Sequence, residues 1–139
     1  MSYDMKNVRR YSFLHDFGAG GDIYAVKGPK GKKGKLINYG VDGVTETFTN
    51  VTTGALISVG TVADADAYGN EIDLGALAAD SASNLRSLYD PIADATTWAT
   101  YMLEDDLPAD TVVALHCVAP TGGTPAGIGT AFMEIQWDD

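Results

Sequence analysis

The closing stretch Gly129-Thr-Ala-Phe-Met-Glu-Ile-Gln-Trp137 alternates in character. Ala131, Met133, Ile135 and Trp137 fall on one side of an extended chain. Thr130, Glu134 and Gln136 fall on the other, with Phe132 the exception. Successive side chains of a strand point to opposite faces, so this spacing predicts a half-buried β-strand. Trp137 then reads as a core anchor, with an interface anchor as the alternative. A chain end tied down as a strand implies a sheet completed by its final hairpin, whose turn is the Gly/Pro-rich run Pro120–Gly127.

The rest of the chain follows the same pattern. Turn residues recur at short spacing, at 18–21, 28–34, 40–43, 50–54, 68–70, 108–110 and 120–129. Between them lie short apolar or β-branched runs. Strands are predicted over Asp22–Val26, Lys35–Val41, Val44–Thr49, Ala55–Val62, Thr96–Leu103, Thr111–Ala119 and Gly129–Trp137. In Val44–Thr49, Val44, Glu46 and Phe48 share a face. Long amphipathic helical patterns are absent. Ala63–Tyr68 fits a short helical turn, and Ala76–Asn84 fits helix or loop. The fold class is therefore all-β, an antiparallel sandwich or barrel over residues 22–139. Residues 1–21, polar and basic, read as an extended N-terminal arm with Tyr11, Phe13, Leu14 and Phe17 as its apolar points.

A chain of 139 residues suits one domain that buries a real core without disulfide or metal. The lone Cys117 excludes an intrachain disulfide. No secretory leader pattern opens the sequence, and no apolar run approaches the ~18 residues of a membrane span. Synthesis in a cytoplasm is expected, with no membrane partner. Charge is split. Lys6, Arg9, Arg10, Lys27, Lys30, Lys32, Lys33 and Lys35 stand against three acids in the first 35 residues, a formal +5. The remaining 104 residues carry sixteen acids and only Arg86, a formal −15. Such asymmetry speaks about partners rather than fold, and the acidic body repels nucleic acid.

Few motifs carry chemistry. Lys27-Gly-Pro-Lys-Gly-Lys-Lys-Gly-Lys35 lacks the spacing of a phosphate-binding loop, because Lys33 stands where the second glycine belongs. Its three-residue glycine period is too short for a collagen helix. A solvated turn, a contact for an acidic protein surface and a nucleic-acid contact remain, the last disfavoured because no aromatics interleave the lysines. The run from Asp64 to Asp73 matches a calcium loop at its first, third and sixth positions, but Gly75 stands where a bidentate Glu is required. A looser site of Asp64, Asp66 and Asp73 is the residual metal reading, and no cofactor is implied. His116 and Cys117 are neighbours in a predicted strand, so they face opposite ways and form no dyad. Cys117 reads as a buried apolar residue. The sequon at Asn50 has no meaning without a secretory route. Nothing here points to an enzyme.

Taken together, the chain resembles the decoration (cement, or head auxiliary) proteins of tailed bacteriophages. The likeness runs from about Tyr11 to the end. It is carried by Gly28-Pro-Lys-Gly31 to Lys35 leading into a strand, Thr45-Glu-Thr-Phe48-Thr, Ile57-Ser-Val-Gly60-Thr with Ala63-Asp-Ala-Asp-Ala-Tyr68, and Ala119-Pro-Thr-Gly-Gly-Thr-Pro-Ala-Gly127 to Trp137. The resemblance implies a jelly-roll-like β-sandwich and a homotrimer on the capsid exterior that bridges major capsid proteins. It supplies no catalytic residues. Under it, the basic residues Arg9, Arg10, Lys27, Lys30, Lys32, Lys33 and Lys35 face an acidic capsid surface, and Tyr11, Phe13 and Phe17 are the apolar anchors. The alternative is a carbohydrate-binding or host-attachment module, with Tyr68, Tyr89, Trp98 and Tyr101 as sugar platforms. A hydrolase comes third.

Overall fold

The computed structural model describes residues 8–49, 52–75, 86–87 and 102–138. They build nine strands: β1 (Val8–Asp16), β2 (Asp22–Lys27), β3 (Gly34–Thr49), β4 (Leu56–Gly60), β5 (Gly69–Asp73), β6 (Arg86–Ser87), β7 (Asp106–Leu107), β8 (Val112–Val118) and β9 (Ala126–Trp137). A 3-10 turn, Phe17–Ala19, follows β1. No described helix is long and apolar enough to cross a membrane.

The strands form an all-β sandwich. One sheet runs β1-β9-β3-β6, with β7 also beside β3, and the other runs β2-β8-β4-β5. Every pairing is antiparallel. Four of them are nested in sequence: β1 with β9, β2 with β8, β3 with β6 and β4 with β5. The contacts β9–β3 and β8–β4 then join these ribbons into the two sheets.

Strand β9 behaves as its alternation requires. Ala131, Met133, Ile135 and Trp137 are buried between the sheets. They meet Leu36, Tyr39, Val41, Val44 and Phe48 from β3, and Ile57, Val59, Ile72, Val113, Leu115 and Cys117 from the facing sheet. The Tyr39 hydroxyl donates to the carbonyl of Asn70 at 2.6 Å, tying β3 to β5 across the core. Phe132, the exception in the pattern, is buried on the opposite face, under the Arg10 guanidinium at 3.9 Å from the ring centroid.

Three expectations change. Lys35–Val41 and Val44–Thr49 are not separate strands but one, β3, whose register against β9 slips between Leu36 and Asn38, Asp42 and Glu46, and Glu46 and Thr49. Gly43, expected as a turn, takes φ +57° at the second slip, and the bulge absorbs the extra residues without reversing the chain. The helical turn at Ala63–Tyr68 is instead irregular loop. Thirdly, residues 8–16 are not an arm. They pair with β9 in unbroken register from Val8↔Gln136 to Asp16↔Ile128. The cause is a period-two row, Tyr11, Phe13, His15 and Phe17, whose rings have a core to enter. The predicted strand Thr96–Leu103 lies outside the described residues except for Met102 and Leu103, and Ala76–Asn84 lies outside them entirely. Met102 forms an isolated bridge with Gly69.

Candidate functional site

The lysine-rich connection between β2 and β3 is built around Trp137. Gly28 and Gly34 lie flat on the indole, and a Cβ at either position would run into its ring. The indole is buried, and its Nε1–H donates to the Tyr11 hydroxyl at 2.9 Å. Between the two glycines the chain makes a tight turn: Lys32 N–H donates to the Pro29 carbonyl at 3.1 Å and Gly31 takes φ +74°. Positive φ at the third residue of a turn is where glycine is required. Asp110 accepts from Gly31 N–H at 2.9 Å, and Asp138 N–H donates to the Lys33 carbonyl at 2.8 Å. The loop is therefore held to the β7–β8 connection on one side and to the chain end on the other.

Its charges divide into two sets. Lys35 sits 3.1 Å from Asp106 and 3.7 Å from Asp105, and these carboxylates raise its pKa, the hydrogen bond to Asp106 first. Glu104, Asp105 and Asp106 are the close carboxylate group among the described residues; Asp105 and Asp106 meet this ammonium, and Glu104 accepts from the Asp106 N–H. Lys27, Lys30, Lys32 and Lys33 form no ion pair among the described residues. Arg10 is engaged with Asp42 and Phe132, on the outer face of the β1-β9-β3 sheet. Arg9 is exposed and, one residue away along β1, faces the opposite way.

The expected apolar anchors belong to the core. Phe17 is completely buried and packs against Phe48 at 5.0 Å. Phe13 stacks on Tyr24 at 4.5 Å and 12° between planes, and with Tyr11 it is half-buried against the core. His15 lies edge-on to both Phe17 and Tyr24. Its Nε2 is 2.9 Å from the Gly20 carbonyl, which only accepts, so that nitrogen carries a proton. Tyr24 contacts Nδ1 at 2.8 Å and keeps its own proton more tightly than usual, because burial and then Asp22 raise its pKa. These rings close the seam between edge strands β1 and β2. They are occupied in holding the two sheets together, so Phe17 offers nothing to a partner and Tyr11 and Phe13 offer little.

His116 and Cys117 face opposite sides, as their adjacency in a strand requires. Cys117 lies in the core, and burial pushes its thiol up to about 12. His116 faces out beneath the loop 61–68, and its Nε2–H donates to the Thr61 carbonyl at 2.7 Å. The same loop accepts from Ser58 Oγ at the Ala65 carbonyl, 2.8 Å away. Within the proposed calcium loop, Asp64 bonds Thr61 through its backbone, and Asp73 accepts from Gly75 N–H. Asp64, Asp66 and Asp73 do not gather as a ligand set. Of the sugar-platform aromatics, Tyr68 is buried, and Tyr89, Trp98 and Tyr101 lie outside the described residues.

Ile23, Val62, Val112 and Val118 were not among the expected contact residues, yet all four are exposed. On β8 only the two ends, Val112 and Val118, are exposed; Ala114 and His116 between them on the same face are buried, His116 beneath the loop 61–68. Comparison with protein-family models, with curated proteins and with solved structures finds no match.

Proposed function

We propose that this chain is a non-enzymatic structural protein of a tailed-phage virion. In this reading it binds the outside of the capsid as a homotrimer and stabilises the shell by bridging major capsid proteins. The observation that carries the reading is topological. Leaving out β7, the nested pairings form an eight-stranded hairpin ribbon, and wrapping it so that β9 meets β3 and β8 meets β4 gives the strand order of a jelly roll. Jelly rolls recur in viral shells and lectins. Fold alone assigns no role, so the surface must supply the rest. It supplies a rigid corner of unpaired lysines on a chain of net charge −10. Such a corner steers the approach to an acidic protein face and sets its register.

Co-sedimentation with mature, expanded capsids stripped of outer proteins tests the reading. Bound protein should rise to a fixed stoichiometry and decline as salt is raised. Absence of binding at both low and moderate salt would overturn it.

A further inference from the structure

The connection that carries Lys30, Lys32 and Lys33 is held differently at its base and at its tip. At the base, Gly28 and Gly34 lie on the Trp137 indole, and the Asp138 N–H donates to the Lys33 carbonyl. The tip has no such floor: a Cβ built at Gly31 would meet no atom within 4 Å. Its turn is closed internally, by the Lys32 N–H on the Pro29 carbonyl. The Gly31 N–H takes no part in that closure. It donates instead to Asp110 Oδ1 at 2.9 Å, across 79 positions of sequence. Among the described residues this is the one hydrogen bond that ties the tip to the rest of the fold.

Asp110 has an unusual backbone of its own. Among the described residues it is the one residue other than glycine with positive φ, at +60°. Glycine takes that conformation freely, whereas a side chain crowds the backbone there. Aspartate is tolerated in this region when its carboxylate bonds nearby backbone. Here the carboxylate reaches the lysine turn. Its segment is short and fixed on both sides, by Leu107 of β7, buried in the core, and by the start of β8 at Val112. The sign of its charge opposes a corner that attracts acids. Asp110 bonds the residue between Lys30 and Lys32, yet forms no ion pair with either among the described residues. What it contributes to the corner is therefore position rather than charge.

We infer that Asp110 is the positioning residue of the lysine corner. Its carboxylate holds the turn at Gly31, so that Lys30, Lys32 and Lys33 reach an acidic protein face with their backbone already ordered. This rests on the shell-binding reading and names the residue that presets its contact.

Two variants separate position from charge. Asp110→Asn and Asp110→Gly remove the same negative charge. Asparagine keeps a carbonyl oxygen for the Gly31 N–H and tolerates positive φ, whereas glycine has no acceptor and relieves the backbone. The readouts are backbone order parameters of Lys30–Lys33 in the free proteins, and co-sedimentation with stripped, expanded capsids at low salt. Urea denaturation checks that both variants fold. Order parameters should stay at about 0.85 in wild type and Asp110→Asn and fall toward about 0.6 in Asp110→Gly. Asp110→Gly should bind capsids about fivefold or more weakly than Asp110→Asn. Unchanged order parameters in Asp110→Gly would overturn the positioning role at its root. A loosened turn with equal binding by the two variants would overturn its part in docking and leave the shell reading intact. A wild type that does not bind would overturn the shell reading and the docking role with it, while the order parameters still decide whether Asp110 holds the turn.

Discussion

Trp137 ties together the lysine loop, β1 and the core. Its ring floors the lysine loop, its N–H fixes Tyr11, and its neighbours Met133 and Ile135 fill the core. The loop lysines project from a surface set by a buried aromatic, and so meet a partner with little ordering cost in the backbone. Cys117 gives the clearest test at this scale. Its folded-state pKa, about 12, lies above the value near 9 of an unburied thiol, so the unfolded chain loses this proton first. Burial of the neutral thiol therefore contributes fully below pH 9. That contribution is lost between about pH 9 and 12, at roughly 1.4 kcal/mol per pH unit. Urea melts across this range should show Cys117→Ala losing stability less steeply than wild type. The raised pKa of Tyr68 is common to both proteins and cancels; that of Tyr24, which Cys117 helps to raise, cancels only in part, and its remainder adds to the difference in the same direction.

Among the elements, β1 and β2 determine whether the sandwich holds at its open side. Phe13 and Tyr24 stack across the two sheets there, and His15 and Phe17 continue the seam. Phe13→Ala should lower unfolding free energy by about 2–3 kcal/mol, measured by chemical denaturation, with part recovered by Phe13→Leu. A change under ~0.5 kcal/mol would mean that the seam adds little. Strands β2, β4, β8 and β9 were legible in the sequence because each has an apolar set at period two and turn residues beside it. β1 was obscured because Arg9 and Arg10 interrupt its start and Leu14 breaks its polar side, so Tyr11, Phe13, His15 and Phe17 looked like points on an arm. In sequence β3 reads as two strands because Gly43 signals a turn, and only the partner strand shows that the extra residues are a bulge. The lysine loop was visible as a candidate contact.

For the whole molecule, the basic residues divide into those neutralised by acids and those left without an ion pair among the described residues. Arg10 and Lys35 are neutralised within the fold, which leaves Lys27, Lys30, Lys32 and Lys33 without an ion pair among the described residues, in a loop whose backbone is held by Asp110 and Asp138. The net charge of −10 suppresses unspecific association, while the unpaired lysines can steer the approach to a matching surface. The most direct measurement is a cryo-electron microscopy reconstruction of expanded, stripped capsids saturated with the protein. The account predicts added density outside the shell at regular positions, with the lysine corner turned toward the capsid subunits. Capsids without added density at saturating concentration would contradict it.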